Sequence, residues 1–450
     1  MRLLTLSYPP YLIVLIEHLR VKLRDGNFLV RHRVHSVDFT RDRQLTFPLL
    51  MLFILQQTVK SIQRHLHEFL DELAGGQLFE PLTSGAVTHA RAKLKESAFI
   101  ELNTDCVLPT VYRSERPVRR WREHRLVGVD SSLIRLPDSA ELGQVFGWKK
   151  AVNQHGAAGT RYPEGRLSVL YDLLNRIGWD ARLEPSTVSE VPLAREQLSG
   201  LQPNDVVIHD RGFTGYLFLA AIFARQAHFI ARCSNSSFLM ANQLFRLNRA
   251  NQSPVVWLYA SGAQKAECQR LGLPLKLQVR FVSLRLPTGE LEVLATSLLD
   301  EVLYPTLEFL TVYHWRWGHE TFHLMLKSRL ELERFSGRTL EAVRQDVQAA
   351  LLLANLESVL TQPAQSALDH QPADHQARQV NRANAYHALK DQLLELLYQD
   401  IPAPIVLAQL TELFKASPVA IRPTRKKTDR RRPSLHRSNN FQKRLKKMVF

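Results

Sequence analysis

Residues 313–327, YHWRWGHETFHLMLK, place one acid among cations and aromatic rings. At about 100° of rotation per residue, the side chains that a helix would bring into a stripe of roughly 60° are Tyr313, Arg316, Glu320 and Lys327. Amphipathic helices normally turn charge towards water, yet two tryptophans and several apolar residues share this stretch. We therefore expect one long, largely buried helix, and a buried Glu beside Arg and Lys suits a metal ion that also contacts phosphate oxygens.

The charge balance of the chain favours a polyanionic partner. The 450 residues contain 59 Lys and Arg against 43 Asp and Glu, a net charge of +16, and 45% are hydrophobic, as in ordinary globular proteins. Such an excess is typical of proteins that bind nucleic acid or an acidic membrane surface. Residues 422–450 hold 12 Lys and Arg against a single acid, Asp429. They predict a disordered basic tail that contacts phosphates non-specifically, or one that only aids solubility.

Several classes of protein are disfavoured. The three cysteines, Cys106, Cys233 and Cys268, are far apart, so neither a disulfide framework nor a cysteine zinc cluster is expected. The apolar run at 47–55 is shorter than the ~18 residues that span a bilayer, and no export signal is evident. We therefore expect a protein of the reducing cytoplasm with no membrane partner.

Asp130 lies inside a predicted strand at 126–136, LVGVDSSLIRL. A carboxylate within a hydrophobic strand is costly unless something pairs with it, so Asp130 is a candidate site residue. The alternative is a local Asx turn with Ser131 or Ser132. Further strands at 165–175 and 177–185 continue this pattern as a β meander.

Asp210 stands at the end of a second predicted strand. Residues 206–209 are apolar, and a Gly-containing turn, a helix and a strand at 228–232 follow, which is the pattern of a parallel sheet. Functional side chains collect outside the carboxyl ends of such strands. The alternative is a local ion pair with Arg211. A β-rich insertion at about 234–290 then leads to the helix that carries Glu320.

Three carboxylates in the order strand, strand end and helix could hold two hard divalent cations. Two such cations support in-line displacement at a phosphodiester without a covalent protein nucleophile. Arg316 and Lys327 could then hold phosphates, the first as a bidentate fork and the second as a point charge. Tyr313 could donate a hydrogen bond to a phosphate.

The spacing of the residues in this stripe resembles the signature of the transposases of bacterial insertion sequence four and its relatives. The four residue types and all three spacings match. HDRGF around Asp210 and VDSSLIRLPDSAELGQVFG around Asp130 also resemble the first two catalytic blocks of that family, with Ser131 where many relatives have Gly. The likeness covers roughly residues 30–360.

The resemblance implies a fold of the α/β class: an RNase H-like mixed sheet flanked by helices, with the β-rich insertion. It implies that Asp130, Asp210 and Glu320 bind two Mg²⁺ ions, for which Mn²⁺ can substitute. It further implies cutting of terminal inverted repeats and their joining to target DNA by a homodimer, with hairpin ends, in the nucleoid of a bacterium. An aromatic side chain stacks on a flipped base in such proteins, and the candidates here are Trp317 and Trp315.

The predicted organisation has five parts. These are a helical N-terminal domain at 1–122 that contacts DNA, a catalytic domain at 123–360, a polar linker at 361–382, a helical segment at 383–421 that could dimerise, and the basic tail at 422–450. Arg91, Lys93 and Lys95 in the first part could enter a DNA groove or form a solvated helix face.

Three alternatives stay open. One is a catalytically inactive DNA-binding protein descended from a transposase, and another is an RNase H-like nuclease without strand transfer. The third is a zinc protease, because His319, Glu320 and His323 spell HExxH. No third ligand follows at the metzincin spacing, and a protease would leave the charge excess and the two strand aspartates unexplained.

Overall fold

The computed structural model describes residues 9–41, 43–56, 60–75, 81–113, 116–152, 158–370 and 377–421, so the predicted basic tail lies outside the described residues. The strands, in chain order, are β1 (Leu126–Arg135), β2 (Trp148–Val152), β3 (Ala158–Asp172), β4 (Ile177–Pro185), β5 (Val206–His209), β6 (His228–Arg232), β7 (Val255–Tyr259), β8 (Lys276–Arg285), β9 (Leu291–Thr296), β10 (Arg378–Gln379) and β11 (Val419–Ala420).

The α-helices are α1 (Pro10–Arg24), α2 (Gly26–His32), α3 (Phe47–Gln56), α4 (Ile62–Ala74), α5 (Ser84–Arg91), α6 (Ser97–Leu102), α7 (Leu108–Tyr112), α8 (Ala140–Phe146), α9 (Glu190–Gln197), α10 (Tyr216–Phe223), α11 (Leu239–Leu247), α12 (Ala263–Arg270), α13 (Glu308–His314), α14 (Trp317–Ser328), α15 (Leu340–Leu360), α16 (Gln362–Asp369), α17 (Arg382–Asp391), α18 (Leu393–Leu397) and α19 (Ala403–Ala416). A π-helical turn occupies Asn103–Val107, and 3₁₀ turns occupy Leu198–Gly200 and Arg211–Phe213. Within the described ranges, no helix has both the length and the apolar character needed to cross a membrane.

Contacts within the chain define two compact units. The first consists of Met1–Pro117, Ile134–Gly165 and Met325–Phe450, and the second of Val118–Leu133 and Arg166–Leu324. The predicted catalytic domain therefore contributes residues to both units. The predicted linker includes α16, and the roles assigned to the five predicted parts stay predictions.

The second unit is built on a mixed sheet. Its strand order is β4-β3-β1-β5-β6-β9-β8-β7, in which β1, β5 and β6 are parallel and β9, β8 and β7 are antiparallel. β2 pairs with the first part of β3 in the first unit. Helix α10 joins β5 to β6 as the sequence predicts, and β7 to β9 extend the sheet beyond β6. The predicted α/β class is confirmed, although the insertion also contains α11 and α12, which were not predicted.

The core of the second unit follows from the apolar run of β5 and the composition of α10. All four residues of β5, VVIH, are buried, as expected for a parallel strand covered on both faces. The sequence of α10, YLFLAAIF, is apolar on almost every side, and it packs with the sheet in one cluster that includes Val207, Phe218, Phe229 and Phe281. Each such side chain contributes roughly 2 kcal/mol by leaving water.

Helix α15 is the buried centre of the first unit. The Thr339 side chain caps its N-terminus by accepting from the Ala342 N–H, and the helix packs against α3, α6 and α17. Its buried Asp346 accepts from Arg91 at 2.8 Å. Arg91, one of the residues considered for a DNA groove, is therefore buried in an ion pair. The pair compensates the cost of burying the Asp346 carboxylate.

The prediction of a single helix over residues 313–327 was wrong. Helix α13 ends at His314 and α14 begins at Trp317. In the link, the Arg316 N–H donates to the Tyr313 carbonyl at 3.1 Å, which is the i to i−3 pattern of a tighter 3₁₀ turn. Gly318, the second residue of α14, has a low helix propensity. A prediction that assumes the same rotation at every residue does not detect such a break.

Candidate active site

Asp130 and Asp210 occupy matching positions on neighbouring parallel strands. β1 and β5 pair Gly128 with Ile208, and the same register continued by two residues places Asp130 beside Asp210. The backbone of Asp210 is still extended, with φ −86° and ψ 177°. Because adjacent strands are about 4.8 Å apart and alternate residues share a face, both carboxylates lie on one face of the sheet, Asp130 in the middle of β1 and Asp210 just past the end of β5.

Asp130 is half-buried in β1. Burial raises the pKa of Asp130 to about 6, although the Ser131 N–H and the Arg316 guanidinium act in the opposite direction. The Ser131 N–H donates to Asp130 Oδ1 at 2.8 Å. The local bond considered as an alternative is therefore present, but Asp130 lies inside β1 and is not at its end.

One oxygen of the Asp210 carboxylate lacks a hydrogen-bond donor among the described residues. This oxygen, Oδ1, is buried. Arg232 Nη1 lies 3.9 Å from that oxygen, so the ion pair at this position is with Arg232 and not with the adjacent Arg211. A buried carboxylate oxygen without a donor is the kind of group that a hard cation binds.

Glu320 forms an ion pair with Arg316, which lies in the link just before helix α14. Arg316 Nη2 donates to Glu320 Oε1 at 2.8 Å, and the Arg316 side chain is 7% exposed while that of Glu320 is 42% exposed. The guanidinium also lies over the rings of Tyr313 and Trp317, with centroid distances of 5.8 and 5.2 Å. A mostly buried arginine thus holds a half-exposed glutamate.

Arg316 pairs with Glu320 and acts electrostatically on the two predicted aspartates. Burial acts to lower the pKa of Arg316, but Tyr313, Glu320 and Asp210 together raise it. The same guanidinium acts to lower the pKa of Asp130. The Arg316 side chain therefore acts electrostatically on Asp130, Asp210 and Glu320. In the sequence, Asp210 lies 80 residues after Asp130, and Glu320 lies 110 residues after Asp210.

The other residues of the signature have different surroundings. Tyr313 is 4% exposed, burial raises its pKa, and its hydroxyl has no hydrogen-bond partner within the described part of the chain. Lys327 is half-buried in the last turn of α14. Trp315 is half-buried in the link, and Trp317 is 51% exposed. Of the two tryptophans, Trp317 therefore has the more accessible ring.

Sequence reasoning missed a second pair of charges, Arg232 and Glu292. Glu292 Oε1 lies 3.0 Å from Arg232 Nε, and Glu292 is 5% exposed. Burial raises the pKa of Glu292, while Arg232 and then Arg316 act to lower it. The signal was available, because Glu292 stands in the apolar strand LEVLAT just as Asp130 stands in LVGVDSSLIR.

The two histidines of the HExxH pattern are buried. His319 Nε2 lies 2.9 Å from the Val169 carbonyl oxygen, and burial lowers the pKa of His319 to about 4. Its ring also packs against Gly128, where an added Cβ would meet His319 Cδ2 at 2.9 Å. The His319 and His323 ring centroids are 4.8 Å apart. His319 thus packs against the sheet and bonds to its backbone, as expected of a structural histidine.

The donor atoms present suit a hard cation only in part. Asp130 and Asp210 offer carboxylate oxygens from adjacent strands, and Asp210 Oδ1 lacks a donor. Among the residues whose structure is described, however, no group of three His, Cys, Asp or Glu side chains is arranged to hold a metal ion. Glu320 is instead held by Arg316, so it would have to exchange this partner to join the two aspartates.

Comparison with known proteins assigns the chain to a family. Residues 121–356, just over half of the chain, match the family described as the transposase DDE domain. Transposase InsG for insertion sequence element IS4 of Escherichia coli (strain K12) is 21% identical over 324 residues, which are 70% of each protein. InsZ of the same strain is 26% identical over 178 residues, which are 38% of this chain and 56% of InsZ.

A cryo-EM structure of the piggyBac transposase synaptic complex with hairpin DNA is similar over 96% of this chain and 90% of that chain, at 9% identity and a TM-score of 0.40. A similarity of that size supports no argument. The family match covers the strands that carry Asp130 and Asp210 and the helix that carries Glu320. The chain is therefore a DNA transposase that belongs to the transposase DDE domain family, as the resemblance to the insertion-sequence-four type predicted.

Proposed function

We propose that this transposase is catalytically competent, and that Asp130, Asp210 and Glu320 are the carboxylates with which it cuts insertion-sequence ends and joins them to target DNA. One observation carries the proposal: the register of β1 and β5 places Asp130 beside Asp210, and Arg316, which donates to Glu320, also acts electrostatically on both aspartates. Neighbouring carboxylates on one face of a sheet offer the oxygen ligands that hard cations prefer.

The cofactor in this proposal is a pair of Mg²⁺ ions, for which Mn²⁺ can substitute. Bound to carboxylate oxygens, such ions would activate a water or 3′-hydroxyl and would stabilise the departing oxygen. Asp130 and Asp210 provide oxygens from two adjacent strands, and Asp210 Oδ1 is already without a donor. Glu320 becomes available when Arg316 turns from it, and the 42% exposure of the Glu320 side chain leaves room for that exchange.

DNA binding follows from the same exchange. Released from Glu320, the Arg316 guanidinium offers a fork that fits two phosphate oxygens. The buried Tyr313 hydroxyl has a proton to donate and no acceptor among the described residues, and Lys327 contributes a further positive charge on α14. Trp317, with its half-exposed ring, is the better candidate for stacking on a base, and Trp315 is the other.

The partners in the proposal are the terminal inverted repeats, target DNA and a second copy of the chain. A homodimer would hold two ends together, and the protein would act in the bacterial cytoplasm at the nucleoid. The net charge of +16 supports contact with DNA over a wide surface.

The proposal is tested with Asp130→Asn, Asp210→Asn and Glu320→Gln on a duplex that carries the element's terminal inverted repeats. We expect Mg²⁺-dependent nicking to fall below detection in each variant, while thermal unfolding and duplex binding at low salt stay close to wild type. Glu290→Gln, which removes an exposed acid in the turn before β9, is the matched control and should nick normally.

The same assay separates the alternatives. The Arg316–Glu320 ion pair, which engages one of the three carboxylates, favours a silent, DNA-binding descendant. Duplex binding without nicking in Mg²⁺ or Mn²⁺ would establish that alternative and overturn the proposal. Nicking that never yields joined products or hairpin ends would identify a nuclease without strand transfer.

A further inference from the structure

Four charged residues form a row across the carboxyl end of the sheet. β5 and β6 pair His209 with Ala231, and one further step in this register places Asp210 beside Arg232. Since Asp130 is beside Asp210 by the β1–β5 register, the row reads acid, acid, base over three parallel strands. β9 supplies the fourth residue, Glu292.

The position of Glu292 follows from the antiparallel pairing of β6 with β9. Arg232 is opposite Leu294, and Glu292 lies two residues from Leu294, so its side chain is on the same face as that of Arg232. The Arg232 Nε to Glu292 Oε1 distance is 3.0 Å, and the Arg232 Nη1 to Asp210 Oδ1 distance is 3.9 Å. One guanidinium therefore bridges the buried Glu292 and the half-exposed Asp210.

A carboxylate that is 5% exposed is an expensive feature of a strand. An apolar residue would fit a strand whose other members are Leu, Val, Ala and a single Thr. What the glutamate adds is a fixed anion behind Arg232, which fixes the direction of the guanidinium and neutralises its charge. Without that anion, a full positive charge would face the oxygen of Asp210 that has no hydrogen-bond donor.

We propose that Glu292 and Arg232 are positioning residues of the catalytic centre: the buried Glu292 carboxylate holds and neutralises the Arg232 guanidinium, so that Asp210 is oriented for a divalent cation and the cation is not repelled by Arg232. This inference rests on the proposed function. Glu292 acts on Asp210 through Arg232 and touches neither the cation nor the DNA. Groups that support a metal ligand in this way typically change metal affinity by about 10-fold to 100-fold when they are removed.

The test is a double-mutant cycle on the full chain, with Mn²⁺ binding measured by titration calorimetry in the absence of turnover. Glu292→Gln keeps the shape of the side chain and removes its charge, and we expect it to weaken Mn²⁺ binding by about tenfold. In the Arg232→Gln background, Glu292→Gln should cause no further change, because the charge that it neutralises is gone.

Glu301→Gln is the matched control. Glu301 pairs with Arg280 at 3.4 Å, and Arg280 is a fully buried arginine on another strand of the same sheet. Removal of the Glu301 charge should leave Mn²⁺ binding unchanged. Unchanged Mn²⁺ binding in Glu292→Gln, or an equal loss in both backgrounds, would overturn the inference.

Two further variants keep the test decisive. If Glu292→Gln does not fold, Arg232→Lys replaces it, since lysine keeps the charge but loses the fork that bridges Glu292 and Asp210; binding equal to wild type then overturns the inference. Asp210→Asn separates the two levels of the argument. If it leaves Mn²⁺ binding intact, the proposed function fails as well. If it abolishes binding while Glu292→Gln does not alter it, only the positioning role fails.

Discussion

Gly128 makes room for the contact between β1 and the helix that carries Glu320. A Cβ at this position would lie 2.9 Å from His319 Cδ2 and 3.1 Å from Leu173 Cδ2. Both neighbours are parts of side chains packed in the core, so neither can move away at no cost. The missing side chain therefore lets a strand and a helix approach each other two residues before Asp130.

We predict that Gly128→Ala lowers the free energy of unfolding by about 1–3 kcal/mol, the usual cost of overpacking a core. Because β1 must shift, nicking of the terminal repeats should fall as well. Denaturant titration and the end-cleavage assay measure the two effects. Gly26→Ala is the control, since nothing lies within 4 Å of an added Cβ there; a Gly128→Ala protein as stable as wild type would contradict the packing argument.

Charge within an apolar strand is the most informative signal at the scale of single residues. It indicates Asp130 as a site residue, because a carboxylate in an apolar strand needs a partner. The same rule applied to β9 would have selected Glu292, whose partner is Arg232. The partner itself could not be named in advance, because the pairing of β6 with β9 joins segments about 60 residues apart.

At the scale of elements, one carboxylate connects three helices of the first unit. Glu101 on α6 contacts Lys22 of α1 and His32 of α2, each at 2.7 Å, and it also pairs with Arg31 of α2. Hydrogen bonding from Arg31, with help from Lys22 and His32, lowers the pKa of Glu101 to about 2. The α6 helix is short, so these contacts matter more to its position than its intrinsic propensity does.

We predict that Glu101→Gln lowers the free energy of unfolding at pH 7 by about 1 kcal/mol, a value reduced by solvent screening of partly exposed ion pairs. A depressed carboxyl pKa stabilises the fold above the unfolded value of 4.5 and ceases to do so as the pH falls towards 2. The difference in the free energy of unfolding between the variant and wild type should therefore become smaller below pH 4.5.

Thermal unfolding at pH 7, 5 and about 3.5 measures that difference. Glu412→Gln, which breaks an exposed pair with Lys415, is the control and should change little at any pH. A difference that is the same at all three pH values would show that Glu101 acts by packing and not through its charge.

At the scale of the whole molecule, charge is concentrated at one end of the sequence. Residues 422–450 carry +11 of the total +16. Each phosphate contact that a protein makes releases counterions, so the logarithm of affinity falls with the logarithm of salt concentration by about 0.9 per contact on duplex DNA. Removal of this segment should therefore affect how strongly salt weakens binding.

We predict that deletion of residues 422–450 makes the affinity for non-specific duplex DNA less sensitive to salt. The slope of log affinity against log salt concentration should become shallower by an amount that corresponds to several phosphate contacts, while Mg²⁺-dependent nicking at low salt persists. Fluorescence anisotropy over a range of salt concentrations measures the slope. A second variant, with the Lys and Arg of the segment replaced by Gln, should behave like the deletion if charge is responsible. An unchanged slope in both would assign non-specific binding to other surfaces.

Short-range patterns in the chain were sufficient for the α/β class, for the strand-helix-strand of β5, α10 and β6, and for the family, because apolar runs, turn residues and the Tyr-Arg-Glu-Lys spacing are local. They were insufficient for what depends on distant segments. The break between α13 and α14, the burial of Arg91 against Asp346 and the Arg232–Glu292 pair appeared only in the folded protein. Strand register and side-chain burial arise from contacts between residues far apart in sequence, so only the tertiary structure decided which charges share a neighbour.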